Sequence, residues 1–240
     1  MLKLKLKHIL FITLGLGVVG LMLAFLARYY LAYEHPLITI DAKENVFLYK
    51  PRGYLFFKRY PVLVALHGKR ESAQGTCDTW KPVSDHYGFI LLCPGGSDFE
   101  EAYIRAPIDD RKRIRYWLDY VHNEYKTKSD QTLLAGFSRG GNIALELGLS
   151  QPKAFPQVLC LFGFFNASLI KKSYKISSSQ KLCLITGKGD PSYDSMMNAF
   201  DFLKQKKISA RIYVYDTLKH SYPKPLVDEM KEVFLFLKGF

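Results

Sequence analysis

Several signatures of well-known protein classes are missing from this chain of 240 residues. It has no H-E-x-x-H pattern, no P-loop and no G-x-G-x-x-G after an apolar run, which excludes the metalloproteases and nucleotide-binding proteins that carry these motifs. It also has no repeats at solenoid periods and no low-complexity tracts, which excludes repeat arrays. We therefore expect no metal ion and no other cofactor.

Cysteine is scarce, with four residues in the whole chain. Cys77, Cys93, Cys160 and Cys183 form no C-x-x-C pair and show no ligand spacing with histidine. The last three lie in apolar runs that are typical of buried strands, where cysteine behaves as a small hydrophobic residue. We expect buried thiols, and a disulfide or metal role is the alternative.

Acidic residues are also few: the chain has 22 of them against 34 lysines and arginines, a formal net charge of +12. The excess is spread over several predicted helices and loops, a pattern typical of solvated helix faces. A docking surface for anionic lipid or an acidic polymer is the alternative. Nucleic acid is not expected as a partner, because no known binding motif accompanies the charge.

Residues 9–27 form the longest uncharged apolar stretch. As a helix it would reach about 28 Å, close to the thickness of a hydrocarbon core. Lys3, Lys5 and Lys7 precede it, and the positive-inside rule places the lysine-rich end in the cytoplasm. Residues 1–33 are therefore predicted as a signal-anchor, a single-pass transmembrane helix with the remaining domain on the non-cytoplasmic side. A cleaved signal peptide, which would leave a secreted or periplasmic protein, is the alternative.

After a predicted linker at 34–44, apolar runs alternate with amphipathic segments. Strands are predicted at 45–50, 61–68, 89–95, 131–137, 157–165, 181–187 and 210–216, and helices at 109–125, 140–150, 194–206 and 224–238; residues 69–76 are predicted as a loop. Nearly continuous apolar strands separated by helices indicate a mostly parallel sheet covered on both faces. In such a sheet, functional sites lie at the carboxyl ends of the strands.

The segment Gly136-Phe137-Ser138-Arg139-Gly140 matches G-x-S-x-G between a predicted strand and a predicted helix. The bare pattern is a weak signal, because average glycine usage gives a chance match in about one chain in ten of this length. Its position is more specific, since a sharp strand-to-helix turn lifts the serine oxygen above the sheet. Ser138 is therefore predicted as a nucleophile.

A serine hydroxyl needs a base, and His220 is the only histidine that follows Ser138 in the chain. Asp190, at the end of a predicted strand, lies between them and is predicted to orient the histidine; Asp194 is the alternative. The oxyanion requires two N–H donors, which we expect from the backbone of Arg139 and of Lys69. Gly68 is the fallback for the second donor.

Six segments in this order resemble the α/β-hydrolase superfamily, and most of all compact esterases of the polyhydroxybutyrate depolymerase, feruloyl esterase and phospholipase/carboxylesterase type. They are residues 51–54, 61–68, 89–94, 136–141, 187–190 and 220–223. The resemblance implies an α/β-hydrolase catalytic domain with a minimal lid over residues 45–240. It also implies a serine hydrolase that cleaves small-molecule or lipid-like carboxylic esters through an acyl-enzyme intermediate.

Two alternatives remain beside this interpretation: a peptidase or amidase that uses the same three residues, and a non-catalytic, membrane-tethered binding protein with the same fold. His67 is interpreted as a structural residue under the oxyanion turn. Phe99, Tyr103 and Tyr222 are candidates for the walls of an acyl or alcohol pocket. Chain length and composition specify no oligomeric state.

Overall fold

The computed structural model describes residues 2–33, 35–98, 102–103, 107–167, 177 and 179–237. Helix α1 spans Leu2–Ala32, and its described side chains, at residues 15–30, are exposed.

Within the described residues, no helix combines the length and the apolar character that crossing a membrane requires. A membrane span needs about 20 consecutive, predominantly apolar residues. The predicted fold class is corrected accordingly. The structure supports the α/β domain, and it does not support a transmembrane signal-anchor or a membrane tether before it.

An eight-stranded sheet runs through the described part of the chain in the order β1-β2-β4-β3-β5-β6-β7-β8. The strands are β1 (Ile38–Asp41), β2 (Val46–Tyr49), β3 (Tyr60–Leu66), β4 (Ile90–Cys93), β5 (Thr127–Phe137), β6 (Gln157–Leu161), β7 (Lys181–Gly187) and β8 (Ser209–Tyr215). From β4 to β8 every neighbouring pair is parallel, whereas β1 and β2 are antiparallel to their neighbours. The sheet is therefore mixed at one edge, and β1 lies within the stretch predicted as a linker.

Helices cover both faces of this sheet. They are α2 (Ala73–Tyr87), α3 (Pro107–Glu124), α4 (Arg139–Ser150), α5 (Tyr193–Gln205) and α6 (Leu226–Leu237). Residues of α3, α4 and α5 share one buried cluster with the sheet, and residues of α2 and α6 share the other. The inner strands β3, β4, β6 and β7 are almost wholly buried, because each of their faces meets a helix layer, whereas the edge strands β1 and β8 are partly exposed.

Helix α2 has no counterpart in the sequence prediction. Gly75 and Pro82 lie inside it, and both residue types disfavour a helix interior. Tertiary contacts override this preference: Trp80 and Val83 are buried against the sheet, and the Ser72 hydroxyl accepts a hydrogen bond from the Gly75 amide at 3.0 Å to cap the helix.

The packing of α2 also decides the state of two cysteines. Cys77 and Cys93 form a disulfide, so the expectation of buried thiols is wrong for this pair. Their Cα atoms lie 5.8 Å apart because α2 packs against β4, within the usual range for a disulfide. Cys160 and Cys183 are buried free thiols, as expected, and burial raises the pKa of each to about 12.

Candidate active site

The turn between β5 and α4 holds Ser138 in an unusual backbone conformation, with φ at 52° and ψ at −116°. A positive φ is costly for a residue with a side chain, so the surroundings must hold it in place. The Ser138 amide donates to the Leu161 carbonyl at 2.8 Å, and the residue is only 9% exposed. The hydroxyl is therefore presented at the N-terminus of α4 by a rigid turn.

Both glycines of the motif are required by close backbone contacts. A Cβ atom on Gly136 would lie 2.1 Å from the Gly140 carbonyl oxygen, and one on Gly140 would lie 2.4 Å from the Leu66 carbonyl oxygen. Real Cβ atoms do not approach backbone this closely. The turn can therefore form only where these positions carry no side chain.

His220 lies between the two other predicted residues. Its Nε2 is 2.9 Å from Ser138 Oγ, and its Nδ1 is 2.9 Å from Asp190 Oδ2. Because the carboxylate only accepts, the Nδ1–H donates to Asp190 and leaves Nε2 to accept from the serine hydroxyl. The ring also contacts Phe137 and Phe162, with centroids 5.1 and 5.6 Å away, and these contacts restrict its rotation.

The Asp190 side chain is fully buried, and both of its oxygens have partners. Oδ2 accepts from His220, whereas Oδ1 accepts from the Ser192 amide at 2.8 Å and from the Ser192 hydroxyl at 2.5 Å. Sequence reasoning missed Ser192, although a serine two residues after an aspartate is a local signal for such a turn. The alternative acid, Asp194, is exposed in the first turn of α5.

A cavity of about 400 Å³ opens beside Ser138 and is lined by Lys69, Ser138, Arg139, Asn142 and Phe164. Both predicted oxyanion donors are thus among its lining residues. Arg139 is the first residue of α4, and the N-terminus of a helix favours negative charge. The fallback donor Gly68 is excluded, because its amide already donates to Glu71 Oε2 at 2.7 Å.

His67 lies under this turn with its protonation state defined by its neighbours. Its Nε2 accepts from the Gly96 amide at 3.0 Å, so Nδ1 carries the hydrogen and donates to the Gly68 carbonyl at 2.9 Å. Burial lowers the pKa of the imidazole, which favours this neutral form. These contacts agree with the structural role inferred from the sequence.

The aromatic candidates for pocket walls have different places. Tyr103 is fully buried, and its hydroxyl donates to the Pro94 carbonyl at 2.7 Å, so that expectation is wrong. Tyr222 stacks on Phe137 and lines a separate cavity of about 260 Å³. Phe99 lies outside the described residues. Phe164, which is 44% exposed, is the aromatic side chain that lines the cavity at Ser138.

Comparison with known proteins finds similarity to esterases over part of the chain. The Esterase family model matches residues 116–221, a range that includes Ser138, Asp190 and His220. No curated protein matches the chain in sequence.

Solved structures share the fold. A carboxylesterase from Bacillus cereus has a TM-score of 0.64 at 18% identity, with 80% of this chain and 94% of that one covered. The Staphylococcus aureus fluorophosphonate-binding serine hydrolase FphF has a TM-score of 0.62 at 17% identity, with 85% of this chain and 95% of that one covered. The S-formylglutathione hydrolase FrmB from Staphylococcus aureus has a TM-score of 0.62 at 16% identity, with 84% of this chain and 96% of that one covered. These structures show that the described domain has their α/β-hydrolase fold, and the family match over residues 116–221 supports an enzyme of the serine ester hydrolase class.

Proposed function

We propose that the enzyme cleaves carboxylic esters through an acyl-enzyme intermediate on Ser138, with His220 as general base and Asp190 as its orienting acid. The observation that carries this proposal is the unbroken hydrogen-bond chain from Ser138 Oγ through both ring nitrogens of His220 to Asp190, with two links of 2.9 Å. Both links lie within the range for a nucleophile, a base and an orienting group that act together.

In the first half of the reaction, Ser138 Oγ attacks the ester carbonyl carbon while its proton moves to His220 Nε2. The imidazolium that forms is stabilised by buried Asp190 through Nδ1–H. The carbonyl oxygen becomes an oxyanion, and we assign the backbone N–H groups of Arg139 and Lys69 as its donors, because both residues line the cavity at Ser138. The C–O bond to the alcohol then breaks, and His220 Nε2–H protonates the leaving oxygen.

The second half repeats these proton transfers with water. His220 takes a proton from water, the hydroxide oxygen attacks the acyl carbon, and the Ser138–acyl bond breaks as the serine regains its proton. The acid leaves and the free enzyme is restored. The cavity volume of about 400 Å³ suits a small ester, and the exposed face of Phe164 offers an apolar contact for it.

The proposal is tested with a fluorophosphonate probe and a graded panel of nitrophenyl esters, with matching anilides to measure amide cleavage. We expect the wild-type protein to be labelled on Ser138 and to prefer esters. Ser138→Ala should lose labelling and at least about 10³-fold in kcat, because the nucleophile is removed. Ser150→Ala, at the far end of α4, is the matched control and should behave as wild type. Turnover that survives in Ser138→Ala would refute the assignment.

We also infer that the catalytic domain works outside the cytoplasm. The Cys77–Cys93 disulfide supports this, because disulfides persist mainly in oxidising compartments. Alkylation of whole cells with a thiol reagent before lysis, followed by mass spectrometry, should find this pair oxidised. Complete alkylation of both cysteines would contradict the inference.

A further inference from the structure

A carboxylate that this mechanism does not use, that of Glu71, folds back under the turn after β3. Its Oε2 accepts a hydrogen bond from the Gly68 amide at 2.7 Å, and its own amide donates to the Gly68 carbonyl at 3.3 Å. These reciprocal bonds close residues 68–71 into a tight turn with Lys69 and Arg70 at its tip. Arg70 adopts a positive φ of 57°, a conformation that a flexible loop would not maintain without such anchors.

The closed turn packs directly on the nucleophile. A Cβ atom built on Gly68 would lie 3.3 Å from Ser138 Cβ and 3.1 Å from Phe137 Cδ1, and it would also meet Glu71 Oε2 at 3.0 Å. A shift of a few tenths of an ångström in Gly68 would therefore move the next amide relative to the reacting oxygen. That next amide belongs to Lys69, which lines the cavity at Ser138.

Both backbone groups of Gly68 are already engaged. Its amide donates to Glu71, and its carbonyl accepts from His67 Nδ1 and from the Glu71 amide. These hydrogen bonds hold the backbone of Gly68 in place at the start of the turn. Without the carboxylate, the Gly68 amide would lose its partner at the floor of the site and would be left to compete for the oxyanion or to rotate.

Glu71 also lies in an unusual environment for a carboxylate. It borders two cavities, of about 180 and 260 Å³. Burial raises the pKa of its carboxyl, whereas the Gly68 amide and the nearby His220 oppose that shift. Burying a carboxylate costs free energy, and the hydrogen bond from the Gly68 amide offsets part of this cost.

We propose that Glu71 is a positioning residue, whose side-chain oxygen holds Gly68 and thereby directs the Lys69 amide at the oxyanion. This inference rests on the proposed ester hydrolysis. Loss of one oxyanion donor costs about 10²- to 10³-fold in kcat, and a misplaced donor costs less. We expect Glu71→Ala to lower kcat about 10- to 100-fold with KM changed less than about threefold, because the oxyanion forms only in the transition state.

Two further variants separate this role from a general structural one. Glu71→Gln keeps an oxygen acceptor for the Gly68 amide, so its kcat should stay within about threefold of wild type. Ser72→Ala removes the cap of α2 without touching Gly68, so it should lower the thermal unfolding midpoint and leave kcat unchanged. Wild type, Glu71→Ala, Glu71→Gln and Ser72→Ala are compared on one nitrophenyl ester, and hydrogen exchange is followed in the peptide that contains residues 66–72.

We expect faster exchange of the Gly68 amide in Glu71→Ala than in wild type or Glu71→Gln. A kcat for Glu71→Ala within twofold of wild type would overturn the proposal. So would an equal loss in Glu71→Gln or in Ser72→Ala. If the wild type cleaves no ester and takes no fluorophosphonate, the proposed function fails instead. Hydrogen exchange of the Gly68 amide still tests whether Glu71 holds Gly68. Equal exchange rates in wild type and Glu71→Ala would show that the Glu71 carboxylate does not hold this amide.

Discussion

At the scale of the residue, the site contains two features that cost free energy and that neighbouring groups stabilise. Ser138 has a positive φ, and the buried Asp190 carboxylate has left water. Each is compensated locally: the serine turn by glycines that let backbone pass closely, and the carboxylate by hydrogen bonds from His220 and Ser192 to its two oxygens. A single substitution can therefore remove chemistry without removing the fold.

Asp190→Asn tests this for the orienting acid. The amide cannot stabilise the imidazolium and favours the wrong tautomer of His220, so we expect kcat to fall about 10³- to 10⁴-fold. Asp194→Asn is the matched control, because Asp194 is exposed in α5, and it should retain wild-type kcat. Steady-state kinetics at pH 7.5 measure both. Equal losses in the two variants, or a loss in Asp194→Asn alone, would refute the assignment of Asp190.

At the scale of the element, α2 links the turn at residues 68–71 to the sheet. It begins at Ala73, two residues after Glu71, and it is joined to β4 by the Cys77–Cys93 disulfide. The disulfide closes a loop with a sequence separation of 16 residues. A cross-link of this size restricts the unfolded chain and contributes about 3 kcal/mol to the free energy of unfolding in the chain-entropy account.

Replacing both cysteines by serine should therefore lower the free energy of unfolding by about 3 kcal/mol. Urea denaturation, followed by tryptophan fluorescence, measures this with and without a reducing agent. The reductant should destabilise the wild type and have no effect on the double variant. The buried thiols of Cys160 and Cys183, whose pKa is raised to about 12, should stay unmodified in both proteins before unfolding. A wild type that is insensitive to reductant would contradict the stabilising role.

At the scale of the whole molecule, buried titratable groups give stability a pH dependence with opposing signs. Burial lowers the pKa of His67 from 6.5, so the folded protein binds fewer protons there than the unfolded chain. The stability that this group contributes is complete above pH 6.5 and is lost as the pH falls from 6.5 towards the lowered pKa. Burial raises the pKa values of Glu71 and Asp110, so acidification relieves their burial cost.

Carboxyl groups titrate mainly at lower pH, so His67 should make the larger contribution to the pH dependence of stability between pH 7 and 6. We expect the free energy of unfolding of the wild type to fall over this interval by up to about 1 kcal/mol. His67→Gln should be less stable at every pH but show a smaller slope. His86→Gln, at an exposed position, should keep the wild-type slope. Urea titrations at several pH values measure the slopes, and identical slopes in all three proteins would exclude His67 as the source.

Local patterns in the amino-acid sequence were enough to predict much of the secondary structure and three residues of the site. The alternation of apolar runs and amphipathic segments predicted most strands and helices, because side-chain periodicity reports burial directly. The order of Ser138, Asp190 and His220 at strand ends predicted residues that the structure places within hydrogen-bond distance. Parallel strands bring their carboxyl ends to one edge, so this juxtaposition follows from topology alone.

Features that depend on contacts between distant segments could be seen only in the folded protein. Helix α2 forms against its own propensity because Trp80 and its neighbours are buried, and this packing brings Cys77 to Cys93. The sequence already favoured Lys69 over Gly68 as the second oxyanion donor, and the structure adds the reason against Gly68, whose amide donates to the Glu71 carboxylate. No periodicity encodes which donor is already engaged, because a hydrogen bond depends on positions in space and not on residue order.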